Sequence, residues 1–314
     1  MKLQGDRLPW QMAGLIAAVL LLALGLFRLL VYEPPRPAPA GSVAPEPAPA
    51  DPAEKRPVQA MVLSVRGEVE RGTAGGGWSA VEPGQKVQVD DLLRTGAHGT
   101  TDLAIDGRSR VSIAESSELS IRELTETVHR FRLTRGRMGA DYDPAGERVL
   151  RVESDTGDAV AETRSARFSV LSSGSGIAVA TAAGGVELSA RKRTVHVAAG
   201  QQSFVAPGGP PLPPVPVPTA VLLKVGNSLA GESETLCAEI DGTAFPGSEV
   251  TVDGAAIAVE ADGRFHHQVA RAAGKRSARV DIRDPSGREK TRTVPCSPTP
   301  ARIDDMAIHW KETP

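Results

Sequence analysis

The chain of 314 residues has two cysteines, Cys237 and Cys296, and six scattered histidines. A thiolate metal site needs further ligands at short spacing, and none accompanies either cysteine. An isolated pair within one small exported module most simply forms a disulfide. Closing a loop of about 60 residues would contribute ~4 kcal/mol in the chain-entropy account. His266 and His267 are adjacent, so on a strand they point to opposite faces. The Asp-Gly pairs at Asp106, Asp241, Asp253 and Asp262 invite a calcium reading, but no Asp-x-Asp loop accompanies them and turn formation explains them. The triple glycine at 75–77 lacks the Lys-Ser/Thr of a phosphate-binding loop and reads as a turn. The basic run Arg191-Lys-Arg193 reads as a solvated hairpin turn, with contact to an acidic polymer as the sharper alternative. GxSxG, HExxH, paired CxxC and a dinucleotide fingerprint are all missing from the sequence. These residues predict a protein that is not an enzyme, with no catalytic residues, no metal ligands and no cofactor.

The elements around them read as mainly β. Leu103-x-Ile105, Val111-x-Ile113 and Leu119-x-Ile121 are apolar pairs eight residues apart. Alternation places both members of a pair on one strand face. Asp106-Gly107 and Glu115-Ser-Ser-Glu118 lie where turns are needed. The spacing predicts a meander or rolled, solenoid-like sheet with Leu103, Ile105, Val111, Ile113, Leu119 and Ile121 pointing inward. It also predicts that Ile105, Ile113 and Ile121 stack in successive strands. Further apolar alternations, from Phe131-x-Leu133 to Val195-x-Val197, follow at intervals of about eight to ten residues, the spacing of short strands. Gly174-Ser-Gly176 and Gly184-Gly185 are expected as hairpin turns between them.

The chain divides as follows. Residues 1–11 form a short basic segment expected in the cytoplasm. Residues 12–32 are apolar except for Arg28, and as a helix they would span roughly 31 Å, against a hydrocarbon core of about 30 Å. Lys2 and Arg7 favour a cytoplasmic N-terminus. The competing reading is a cleaved leader, but the small-x-small Ala38-Pro-Ala40 lies well past the apolar run. Residues 33–57 are a Pro/Ala-rich spacer that buries too little apolar surface to fold. Residues 58–206 form an all-β domain, and 207–218 are a second Pro-rich joint that no central strand can cross. Residues 219–298 carry a separate β pattern with both cysteines, and 299–314 are a tail in which Ile303, Met306 and Trp310 match helical spacing. The formal net charge of −2 gives no general attraction to nucleic acid.

The central stretch also carries a family resemblance. Asp91-Leu-Leu-Arg-Thr-Gly96, Leu103-Ala-Ile-Asp-Gly107, Val111-x-Ile113 and Ser117-x-Leu119-x-Ile121 resemble the core of the FecR-type domain. Val65-Arg-Gly-Glu-Val69 precedes them, and Leu133-Thr-Arg-Gly136, Thr163-Arg-Ser-Ala-Arg-Phe-Ser-Val170, Gly184-Gly-Val-Glu-Leu188 and Val197-Ala-Ala-Gly-Gln201 follow in the family's order. The resemblance covers about residues 60–206 and implies an extracytoplasmic all-β module of signal-transducing membrane regulators. In regulators of that kind a cytoplasmic anti-sigma domain precedes the membrane helix. Here about eleven residues do, too few to fold as a domain. Gly242-Thr-Ala-Phe-Pro-Gly247, Glu249-Val-Thr-Val-Asp-Gly254, Val259-Glu-Ala-Asp-Gly263 and Ala278-Arg-Val-Asp-Ile282 are similar to bacterial immunoglobulin-like modules and imply a β-sandwich.

The expectation is thus a single-pass protein of the bacterial inner membrane, its bulk in the periplasm, sensing or scaffolding through an envelope protein partner. The alternative is a cell-wall or glycan-binding protein that uses the immunoglobulin-like module.

Overall fold

The computed structural model describes residues 21–27, 59–73, 76–229 and 231–298. Residues 21–27 are helical. The rest of the apolar segment 12–32 lies outside the described residues, as do 1–11, the spacer 33–57 and the tail 299–314. Among the described residues no helix is long and apolar enough to cross a membrane. The strands all fall in the compact unit Lys55–Pro314, which is mainly β and holds two hydrophobic cores.

The first core is enclosed by a 16-stranded assembly from Ala60–Arg66 to Val215–Pro216. Two strands of 15 residues, Val128–Tyr142 and Gly176–Ala190, carry the chain from one layer of this assembly to the other. Along the first, the buried positions are His129, Phe131 and Leu133, then Met138, Ala140 and Tyr142, so the alternation slips by one residue. Gly136 sits at the slip with φ 82°, a left-handed conformation that L side chains adopt only with strain. Before it the strand pairs with Glu118–Leu124 and, in parallel, with Val149–Ser154. Beyond it the partners are Ser109–Ile113 and Ala166–Ser173. The Gly176–Ala190 strand repeats the device. Ile177 and Val179 are buried before Gly184 (φ 74°), and Val186 and Leu188 after it. Gly184-Gly185 is therefore a bend within a strand and not the hairpin turn expected from sequence.

Leu103, Ile105, Val111, Ile113, Leu119 and Ile121 are each at most 1% exposed. Their neighbours differ from the expected stack. Thr100–Ile105 and Ser109–Ile113 form a hairpin in which Leu103 faces Val111 and Ile113 faces Thr101. Glu118–Leu124 pairs instead with Asp91–Thr95 and with the long strand, where Ile121 faces Phe131. Ile105, Ile113 and Ile121 are thus not stacked in successive strands. A spacing of eight fixes which face a residue takes but not which strand lies alongside. The joint 207–218 also does more than link: Val215–Pro216 pairs with Gln201-Gln202 as a short edge strand.

The second core draws residues from a three-stranded sheet (Leu223–Asn227, Leu236–Ala244, Arg264–Ala270) and from a four-stranded one (Glu249–Val252, Ala255–Ile257, Ser277–Arg283, Glu289–Pro295). Ile240 and Phe265 come from the first sheet, and Val250, Val280 and Ile282 from the second. Cys237 and Cys296 are joined by a disulfide across a separation of 59 residues. Asp253-Gly254 makes a two-residue hairpin turn with φ 50° and 84°. Asp241-Gly242, expected as a turn, is in the middle of the Leu236–Ala244 strand, where Asp241 faces His266.

The two cores are held against each other by specific contacts. Ser169 Oγ donates to the Pro285 carbonyl at 2.6 Å, and the Val259 N–H donates to Ser175 Oγ at 2.9 Å. Arg283 pairs with Glu115 across the boundary and with Glu289 at 2.7 Å on its own sheet. The Arg283 guanidinium is largely enclosed, and its acidic neighbours outweigh burial and raise its pKa.

Ile113→Ala should destabilise the first core by about 2–5 kcal/mol, because it removes a buried branched side chain. Ser112 lies on the opposite strand face and makes no side-chain hydrogen bond among the described residues, so Ser112→Ala should change stability by no more than about 0.5 kcal/mol. Denaturant titration of the two variants checks the pair, and a larger loss at Ser112 would overturn this register. Cys237→Ser with Cys296→Ser should cost about 4 kcal/mol in the second core, read from its unfolding transition.

Candidate functional site

On the outward face of the first layer, register places side chains in rows across three adjacent strands. Arg110, Asp141 and Arg167 form one row, because Arg110 and Arg167 are both cross-strand partners of Asp141. Ser112, Gly139 and Ser169 form the next. Arg137 follows, two residues before Gly139 on the same strand face. Gly139 has no side chain, and the Ser112 hydroxyl lies 2.6 Å from where a Cβ would stand, so this part of the lining is low and forms a trough. Ala180, Ala182 and Gly200 extend this low floor toward one edge. The turn after Ser277–Arg283 rises above it. Ser286 contributes to the wall, and the Gly287 backbone lies so close to Arg137 that an added Cβ would be 2.7 Å from its Cζ. Val217, from the Pro-rich joint, completes a cavity of 430 Å³.

The charges in this trough are unbalanced. Its ionisable lining is Arg110, Arg137, Arg167 and Asp141. Among the described residues none of the three arginines has an ion-pair partner within 4 Å, and the Arg137 Nε is buried with no hydrogen-bond acceptor. Burial, then the nearby Arg283, pulls the Arg137 pKa down, while Glu115, Glu289 and Asp284 oppose the shift. A guanidinium stays charged through such shifts near neutrality. The outward face of the other layer is different. There Arg94 meets Glu70 at 2.5 Å, Arg151 meets Glu162 at 2.5 Å and Arg132 meets Glu153 at 3.2 Å. The trough therefore offers planar, charged donors to something other than the protein's own carboxylates.

The residues singled out from sequence fall elsewhere. Arg191 and Lys192 form the tight turn of a hairpin with φ 50° and 61°, and Arg191 Nε donates to the Gly208 carbonyl at 2.8 Å. His266 is 2.9 Å from Asp241, and His196 is 2.6 Å from Glu187, each a cross-strand pair on an exposed face. No group of three or more His, Cys, Asp or Glu residues among those described could hold a metal ion. Sequence reasoning missed the three arginines because each is an ordinary polar position in an alternating strand. The available signal was the run Arg137-x-Gly139-x-Asp141, in which one outward face carries a charge, a gap and a charge.

A second polar cluster is buried at the end of the first core. His129 is fully buried, its Nδ1 is 3.1 Å from the Tyr142 hydroxyl, and its Nε2 has no partner. Asp106 lies nearby, paired with Arg148 at 3.0 Å. Burial lowers the His129 pKa from 6.5 and raises that of Tyr142. The folded state thus resists a proton that the unfolded chain accepts below about pH 6.5, so stability should fall as pH drops through that value. Thermal unfolding at pH 7.5 and 5.5 should show this loss, and His129→Gln should reduce it. An unchanged slope in that variant would assign the loss to other groups.

Residues 91–187 match the family model described as FecR protein. No curated protein matches the chain. Two crystal structures of a "putative anti-sigma factor" from Parabacteroides distasonis ATCC 8503 are similar to it, each at 15% identity and a TM-score of 0.35. The similarity covers 40% of this chain and 59% of theirs, less than two thirds of that protein's length. The segment matching the FecR model runs from the Asp91–Thr95 strand into the Gly176–Ala190 strand and contains Arg110, Arg137 and Arg167.

Proposed function

We propose that the chain is a FecR-like regulator of signal transduction that acts by binding and has no catalytic activity of its own. The observation that carries this reading is the coincidence of the FecR match with the strands whose outward face holds the arginine trough. Arginine suits recognition, since its guanidinium does not exchange a proton near neutral pH and makes a poor general acid or base. The apolar segment 12–32 serves as an inner-membrane anchor, and the Pro/Ala-rich spacer holds residues 58–206 away from the bilayer in the periplasm. The disulfide supports an oxidising compartment for the second module, 219–298. Two sheets around one core, closed by that bond, support an immunoglobulin-like sandwich for this module. Its role is to hold the turn at Ser286 over the trough, and an envelope protein is the partner that reads the outcome.

Two experiments test this. Protease added to intact spheroplasts should digest the β modules and leave a membrane-held N-terminal fragment, whereas full protection until lysis would overturn the orientation. A photo-cross-linking residue at Arg66, outside the trough, should capture an envelope protein in intact cells. Capture of cell-wall polymer alone would favour a glycan-binding role and reject the regulator reading.

A further inference from the structure

We propose that the trough between the two cores binds a small organic oxyanion, a carboxylate or a phosphate monoester with a slender apolar body, and that the bound anion clamps the second module onto the first. The site stands whether or not the chain is a regulator, because it rests on side chains and not on the family match. Three arginines line it against one carboxylate, Asp141. The most enclosed, Arg137, has a buried Nε that the protein leaves without an acceptor. An oxyanion in the trough would meet the Arg137 guanidinium as a charged acceptor, which makes the stronger class of hydrogen bond.

Shape narrows the ligand. Gly139, Ala180 and Ala182 contribute only small or absent side chains to the floor, which leaves room for an apolar group. The cavity's 430 Å³ falls in the range of about 300–1,000 Å³ typical of small-ligand clefts. The Asp284–Gly287 turn covers one end, which disfavours a broad protein surface as the occupant. That turn is tied down by the Ser169–Pro285 hydrogen bond, and Ser286 Oγ is held by Asp284 Oδ1 at 2.6 Å. An anion against Arg137 would meet the floor from one core and the Ser286 wall from the other. It would therefore bind the docked arrangement better than the undocked one, and occupancy would shift the two modules toward docking.

Titration calorimetry on the full-length protein in mild detergent tests this with phenyl phosphate, benzoate, inorganic phosphate and hexaglutamate. Saturable binding of phenyl phosphate or benzoate that weakens with added salt is the expected result, and the tighter of the two identifies the anion as phosphate or carboxylate. Inorganic phosphate should bind more weakly than phenyl phosphate if the apolar slot contributes. Arg137→Gln should weaken binding about tenfold or more. Arg167→Gln, at an exposed position, provides the same test should the Arg137 variant fail to fold. Asp141→Asn should tighten binding by removing the competing carboxylate, and Arg292→Gln, on an exposed edge strand, should leave it unchanged. Failure of both aromatic anions to bind, equal affinity in the wild type and Arg167→Gln, or binding of hexaglutamate alone would each overturn the proposal.

Discussion

Everything around the first core depends on two backbone positions that only glycine occupies without strain. At Gly136 and Gly184 the chain turns through the left-handed region in the middle of a strand, and the inward-facing residues change from odd to even positions. A slip of one residue reverses every side chain beyond it. Here the reversal is what allows a single strand to line the core from both sides. Leu133 and Met138 point into one interior although they lie in different layers. A Cβ at Gly136 would lie 2.5 Å from Ser117 Cα, so the bend is also packed against the crossover that carries the chain out of the Ser109–Ile113 strand.

This bend also creates the trough. Beyond the bend Arg137 points away from the first core, and Gly139 and Asp141 share its face. Had the strand kept one phase, Arg137 and Phe131 would have shared a side, and a charge would have been driven into the core at a cost no ion pair there offsets. The polar face that results would be ordinary solvated surface were it not for the second core. Docking through Ser169 and Pro285 encloses part of that face, and a row of solvated arginines becomes a walled slot.

Much of this was legible in the sequence, and the part that was not has a definite physical cause. The strands, their inward residues and the two-cysteine module follow from alternation and composition, which are local. Leu103, Val111 and Ile121 declare themselves because burial writes a period of two. Pairing partners do not, so Ile113 and Ile121 look like neighbours when the crossover at Ser116 and Ser117 has sent them to different layers. Gly184-Gly185 and Asp241-Gly242 look like turns because turns and mid-strand bends draw on the same residues. Of the arginine trough the sequence showed only the Arg137-x-Gly139-x-Asp141 run, because its full membership is set by register across strands far apart in the chain, and by a turn that comes much later still.

That separation orders how the site can come into being. The floor, from Arg110 to Gly200, is complete when synthesis has passed the Gly176–Ala190 strand and Gly200, while the wall at Ser286 belongs to a module that closes only with Cys296. A chain emerging from its N-terminus builds the cationic floor first and roofs it last. For that interval the arginines face solvent and any polyanion nearby, so fidelity of assembly rests on how quickly the later module folds and locks. Long-range pairing of this kind is slow to form, which makes the order of emergence, and not stability alone, a property on which selection can act.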